Sequence, residues 1–225
     1  LDIFSGEGGT FDFTPALLPG DSVYCELPVY YFRVGKPEFK TELAKLTYKG
    51  KLSEAVPGRF EFKSVPHPDS TASSYPRFTS YDNNIVHKGV GLSNTRFTGG
   101  FSLHGNKITS ETVFKGSSTL EVDKNDSPLW KARSTAFVLG DSIISSENAS
   151  ISILQENDSI THPMVRLTYR FPNDSAQDLL LLNSKNYMRY APYSSSLFGV
   201  DFTVNKLHWR FMSDSLTLII LGGRS

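Results

Sequence analysis

The tyrosine-rich segment Asn186-Tyr187-Met188-Arg189-Tyr190-Ala191-Pro192-Tyr193 is the stretch of this chain that best suits ligand recognition. Tyrosine joins an apolar ring to a polar hydroxyl, so it can stack on a sugar ring and hydrogen-bond its hydroxyls. The segment therefore predicts a carbohydrate-binding site formed by Tyr187, Arg189, Tyr190 and Tyr193. The alternative is an aromatic loop that covers the end of a β-sandwich, with the tyrosine rings buried and their hydroxyls in water.

The residue types that could carry catalysis or bind a metal are scattered along the chain. The histidines show neither an HxH nor an HExxH spacing, and the single cysteine, Cys25, allows neither an internal disulfide nor a cysteine-rich zinc site. No GxSxG motif is present, and no serine has a histidine or an acid at a recognised motif spacing. We therefore predict no catalytic residue, no metal site and no cofactor, and a non-enzymatic role is favoured. A glycosidase-type pair of carboxylates stays open, because its two members need not be close in sequence.

Strict alternation of apolar and polar residues indicates the elements that must carry any site. Val165, Leu167, Tyr169 and Phe171 share one parity, which is the period of two expected when one face of a sheet is buried. Turn residues such as Gly140-Asp141-Ser142 separate such segments. The sequence predicts an all-β protein, either an antiparallel β-sandwich or an extended β-meander of about a dozen strands.

Residues 66–76, PHPDSTASSYP, form the segment most typical of a linker, because they combine three prolines with several serines and show no apolar periodicity. We predict an N-terminal β subdomain at residues 1–64, a linker at 65–76 and a main β-meander domain at 77–225.

Charge and hydropathy limit the classes of partner that can be expected. Lys plus Arg and Asp plus Glu number 23 each, so the broad positive surface of a nucleic-acid-binding protein is not expected. No apolar run approaches the roughly 18 residues of a membrane helix. The chain begins at Leu1 without a signal sequence, and we expect it to be a piece of a longer protein.

Four short segments resemble parts of very large β-repeat envelope proteins of Bacteroidota. They are YPRFTSY at 75–81, FTGGFSLHG at 97–105, the Gly-Asp-Ser-Ile sequence at 140–143 and DSITHP at 158–163. The resemblance covers residues 75–221. It implies an exported, multi-strand, non-enzymatic piece of a longer chain, in the cell envelope or outside the cell (periplasm or cell surface). It supplies no catalytic residue.

Asp-Ser pairs recur along the chain, and seven of the thirteen aspartates precede serine. With a following aliphatic residue they match the acceptor pattern of the general O-glycosylation system of Bacteroidota, with Ser70 as a further match. Turns explain the pairs without any sugar, because Asp side chains cap their own turns. The candidate sites for modification are Ser22, Ser142, Ser159, Ser175 and Ser215.

Three functions are compatible with these observations. The first is a structural or interaction module whose partners are other envelope proteins or the rest of a longer parent chain. The second is the carbohydrate-binding module described above. The third is a lipid-handling β-groove, in which the apolar faces of residues 165–171 and 207–221 line an open trough.

Overall fold

The computed structural model describes residues 2–66, 68, 71–174, 176–184, 191–211 and 216–220. Strands hold 59% of the residues, so the predicted all-β class is confirmed, and one short 3-10 helix spans Thr14–Ala16. The strands are β1 (Ile3–Glu7), β2 (Thr10–Asp12), β3 (Val23–Glu26), β4 (Val29–Arg33), β5 (Glu38–Tyr48), β6 (Val56–Lys63), β7 (Arg77–Ser80), β8 (Ile85–Val86), β9 (Thr95–Gly99), β10 (Ser102–His104), β11 (Lys107–Thr109), β12 (Ser118–Lys124), β13 (Ser127–Ser134), β14 (Val138–Leu139), β15 (Ile143–Gln155), β16 (Asp158–Arg170), β17 (Asp178–Asn183), β18 (Tyr193–Ser195), β19 (Val200–Phe202), β20 (Lys206–Arg210) and β21 (Leu216–Ile219). In the part of the chain that the structure describes, no helical segment has the length and hydropathy of a membrane span.

The chain folds into two compact units, which interleave in sequence. Unit 1 comprises Leu1–Gly89 and Thr98–Gly116, and unit 2 comprises Val90–Phe97 and Ser117–Ser225. This division differs from the predicted one, in which residues 65–76 link two subdomains. Those residues lie within unit 1, because the strands on either side of them, β6 and β7, pair with each other.

Unit 1 is an antiparallel meander whose first two strands are interrupted. β1 and β2 pair with β4 and β3 respectively, and both β3 and β4 pair with the long strand β5. The break between β1 and β2 falls at Gly8, whose positive φ of 71° suits glycine. Pro28 lies at the break between β3 and β4, where a residue without an N–H costs no ladder hydrogen bond. The meander continues through β5–β6, β6–β7, β7–β10 and β10–β11.

The core of unit 1 lies on one face of this meander. Because side chains alternate between faces along a strand, one parity of each strand supplies the core. Its buried members are Phe13, Val23, Cys25, Leu27, Ala44, Leu46, Leu52, Val56, Phe60, Phe78, Phe101 and Leu103.

Unit 2 is built around the long hairpin of β15 and β16, which also pair with β13 and β17. The predicted alternation is confirmed for Val165, Leu167 and Tyr169 on β16 and for Phe171 directly after it, all of which are buried. Trp130 and Ala132 on β13 are buried as well. Trp130 meets Tyr169 edge-on, with ring centroids 5.2 Å apart. An edge-to-face pair of this kind stabilises the core beyond the contribution of its buried apolar area.

Candidate functional site

A row of four phenylalanines crosses the open end of unit 1. Phe4, Phe32, Phe39 and Phe62 stand directly opposite one another on β1, β4, β5 and β6. Successive ring centroids are 4.9, 6.4 and 6.1 Å apart. Residues in direct cross-strand register project from the same face of a sheet, so the four rings form a continuous aromatic strip.

Phe11 on β2 packs against this strip. Its ring lies 4.8 Å from that of Phe62 and 5.9 Å from that of Phe39. These rings line a cavity of about 320 Å³, which we call the aromatic trough. The apolar side chains that line it are Phe11, Leu27, Tyr30, Phe32, Pro37, Phe39 and Phe62.

The trough is open because the strand pairing ends beside it. β6 pairs with β7 only from Gly58 to Glu61, so Phe62 lies beyond the start of β7 and has no partner there. One row further into the sheet, Phe60 faces Phe78, and both are fully buried. Phe39 and Phe62 are only half-buried. The core of unit 1 is therefore closed at Phe60 and accessible at Phe62.

Charged side chains surround the same end of the sheet. Lys36, in the turn between β4 and β5, lines the trough together with Glu38. Glu38 pairs with Lys63 at 3.5 Å, and Lys40 pairs with Glu61 at 2.9 Å. These are exposed pairs, which contribute little to stability.

The opposite face of these strands carries a second concavity of about 530 Å³, which we call the outer groove. Tyr31, Lys40 and Glu61 stand in one cross-strand row on this face. The outer groove is lined by Ile3, Tyr31, Phe32, Arg33, Lys36, Glu38, Phe39, Lys40, Glu61, Phe62, Lys63 and Tyr75. The aromatic trough and the outer groove thus share the end of the sheet, where Lys36 lines both.

The predicted carbohydrate site falls mostly outside the described residues. Tyr187, Arg189 and Tyr190 lie there, so the site they would form stays a prediction. Tyr193 is on β18 and only 1% exposed. Its ring stacks on that of Phe202 at 5.4 Å and contacts His162 at 4.4 Å, and burial raises the pKa of its hydroxyl. The ring of Tyr193 therefore packs within unit 2 and is not presented to a sugar.

Three candidate modification sites are described. Ser142 is exposed in the turn between β14 and β15. Ser22 is half-buried and its hydroxyl donates to Asp21 Oδ1 at 3.0 Å. Ser159 is half-buried, and its backbone N–H donates to Ser196 Oγ at 2.9 Å. Ser70, Ser175 and Ser215 lie outside the described residues. Modification of these serines stays a prediction.

The open trough was predicted from residues 165–171 and 207–221, of which 212–215 and 221 lie outside the described residues. Val165, Leu167, Tyr169 and Leu207 are fully buried in unit 2, where Trp130 and Phe211 pack against Tyr169. Trp209 and Leu216 line a cleft of about 490 Å³ together with Phe198. The part of the predicted trough on β16 is therefore sealed, whereas Trp209 and Leu216 border an opening.

One serine–histidine contact in the structure was not predicted from the sequence. Ser102 Oγ lies 3.0 Å from His104 Nε2, because residues two apart on β10 share a face. Ser102 is fully buried and its hydroxyl donates to the carbonyl oxygen of Phe78 at 3.0 Å. A nucleophile must reach its substrate, so this contact is structural. Within the described ranges, no three His, Cys, Asp or Glu side chains are grouped so as to hold a metal ion.

No protein family, curated protein or solved structure that was compared with the chain matches it.

Proposed function

We propose that this chain is a non-enzymatic, lipid-handling module that holds the apolar part of its ligand in the aromatic trough. The observation that carries the proposal is the half-buried phenylalanine strip, which leaves the core of unit 1 open at Phe62. This keeps the lipid-handling hypothesis from the sequence but moves it to a different part of the chain.

The physical basis is the transfer of an alkyl chain out of water. Each buried methylene contributes about 0.8 kcal/mol, and the rigid rings lose little conformational freedom when a ligand covers them. Small-molecule pockets measure roughly 300–1,000 Å³, so a cavity of about 320 Å³ accepts part of one acyl chain. The remainder of such a ligand would extend along the exposed end of the strip, where Phe4 is 49% exposed.

The cellular setting of this module is part of the proposal. The resemblance of residues 75–221 to envelope proteins of Bacteroidota supports an exported location, where lipids are abundant. An interaction module and a lipid-handling module are compatible, because a groove that passes a lipid onward needs neighbours in the envelope.

Binding of a fluorescent long-chain fatty acid to the purified chain tests the proposal. We expect saturable binding that is weakened at least several-fold by Phe39→Ser or Phe62→Ser, because each change places a hydroxyl in the trough. Phe114→Ser is the matched control, since Phe114 belongs to unit 1, is 75% exposed and does not line the trough. Absence of saturable binding, or equal losses in all three variants, would contradict the proposal.

Carbohydrate binding is a second candidate, and the outer groove is the observation that favours it. Tyr31 is 59% exposed there, and Tyr75 lies 4.2 Å beneath the guanidinium of Arg77. An exposed tyrosine and a half-buried one among charged hydrogen-bonding groups suit a sugar chain. If this candidate holds, Tyr31→Ala will abolish binding on a glycan array, whereas Phe11→Ser, which changes a residue of the aromatic trough that does not line the outer groove, will leave it intact.

A further inference from the structure

The turn between β4 and β5 places a cation at the mouth of the aromatic trough. Gly35 adopts a positive φ of 85°, and the N–H of Lys36 donates to the carbonyl oxygen of Arg33 at 3.0 Å, which closes the turn. Lys36 consequently lines both the aromatic trough and the outer groove. A ligand that leaves the trough at this end passes Lys36.

Charge pairing around the turn is incomplete. Glu38 is engaged by Lys63 and Glu61 by Lys40. Among the described residues, no carboxylate lies within ion-pair distance of Arg33 or Lys36, although both line the outer groove. Two cations therefore remain without a carboxylate at the end of the sheet where the trough opens.

We infer that the ligand is an anionic amphiphile, whose acyl chain lies in the aromatic trough and whose carboxylate or phosphate head lies against Lys36 and Arg33. This inference rests on the proposed lipid-handling function and adds the polarity of the ligand and the direction in which it binds. Like the ligand, this end of the sheet has an apolar part and a charged part, because the turn that joins β4 and β5, the two middle strands of the aromatic strip, carries Lys36 and directly follows Arg33. Charge-assisted hydrogen bonds to the head group select an anion over a neutral head of the same size.

The expected selectivity is modest, because both cations are exposed to water. Exposed ion pairs each change a binding constant by a small factor, so we expect an anionic ligand to bind roughly 3- to 10-fold more tightly than a neutral one. Salt screens exposed charges. The preference will therefore shrink as the salt concentration rises, while the affinity for the neutral ligand will hold or increase.

The test compares two fluorescent probes of equal chain length, a fatty acid and the corresponding fatty alcohol, with the full chain. We expect the acid to bind more tightly to the natural protein. The double variant Arg33→Gln/Lys36→Gln should lose this preference and bind the acid only as tightly as the alcohol. Lys107→Gln, which changes an exposed cation on β11 of the same unit, should leave both affinities unchanged.

The outcomes separate the two proposals. If neither probe binds saturably, the lipid-handling function fails and the inference fails with it. If both probes bind equally tightly, the function stands and the anionic preference is overturned. If the acid binds more tightly but the double variant keeps that preference, the head-group site is overturned. Circular dichroism spectra that match the natural protein establish that each variant is folded.

Discussion

At the scale of single residues, burial makes the protonation of one histidine a stability determinant. His87 is 7% exposed, and its Nε2 lies 2.9 Å from the carbonyl oxygen of Gly100. Burial lowers the pKa of His87 from its ordinary 6.5 to about 4, despite the backbone hydrogen bonds that oppose the shift. Between these two values the unfolded chain binds more protons than the folded chain, so stability falls as the pH falls.

We therefore predict that acidification from pH 7 to pH 5 removes about 2 kcal/mol of unfolding free energy through His87 alone. Urea unfolding at both pH values measures the difference. His87→Gln keeps a side-chain N–H donor but does not titrate. Between pH 7 and pH 5, the unfolding free energy of this variant should therefore fall by about 2 kcal/mol less than that of the natural protein. Comparing each protein with itself cancels any pH-independent cost of the substitution. An identical loss in both proteins would contradict the prediction.

The thiol of Cys25 reports on the opening of unit 1. Cys25 is fully buried opposite Leu46, and burial raises the pKa of its thiol well above the ordinary range. Because the thiolate is the reactive form, we predict that a disulfide reagent at pH 8 modifies the folded chain far more slowly than the urea-unfolded chain. Mass spectrometry of timed samples measures the rate. Equally rapid labelling of both forms would show that this part of the sheet opens readily.

At the scale of elements, turn geometry sets the stability of the longest hairpin. Glu156 and Asn157 join Gln155 to Asp158, and Glu156 has a φ of 53°. A residue with a Cβ is disfavoured in this left-handed region. We predict that Glu156→Gly stabilises the protein by about 1 kcal/mol, measured by urea unfolding.

Gln155→Gly is the matched control for this hairpin. Gln155 is exposed on β15, one residue earlier, and is paired with Asp158. Glycine is disfavoured in a strand because it loses the most conformational freedom on folding, so the control at the end of β15 should destabilise the protein. Two changes of the same sign would contradict the assigned turn.

The same elements show what the sequence could and could not predict. The period of two correctly predicted the all-β class and the buried face of β16, because alternation is a local property. Turn chemistry was equally local, and Ser142 does lie in a turn. The aromatic strip could not be predicted from the sequence, because it depends on the register between strands that are distant in sequence. Its members are Phe4, Phe32, Phe39 and Phe62. The opening at Phe62 also depends on where β7 begins, and the residues of β6 do not predict that position.

At the scale of the whole molecule, composition suggested a boundary that strand pairing does not support. Residues 65–76 carry the prolines and serines of a linker, yet β6 and β7 pair across them. Composition reports that a segment lacks its own periodicity, whereas a boundary between units requires that few contacts cross it. The two units interleave in sequence, and interleaving leaves no compositional signal.

A single cut tests which division governs the folded protein. If a protease recognition sequence is inserted within residues 66–72 and cleaved, we predict that the two pieces remain together in native gel filtration and separate only in denaturant. The reason is that the β6–β7 ladder and the fully buried pair Phe60 and Phe78 hold the pieces to each other. Spontaneous separation under native conditions would instead establish 65–76 as a true linker between independent domains. The nicked protein should also retain fatty-acid binding, because the strands that carry the aromatic trough, β1 to β6, all lie on one side of the cut.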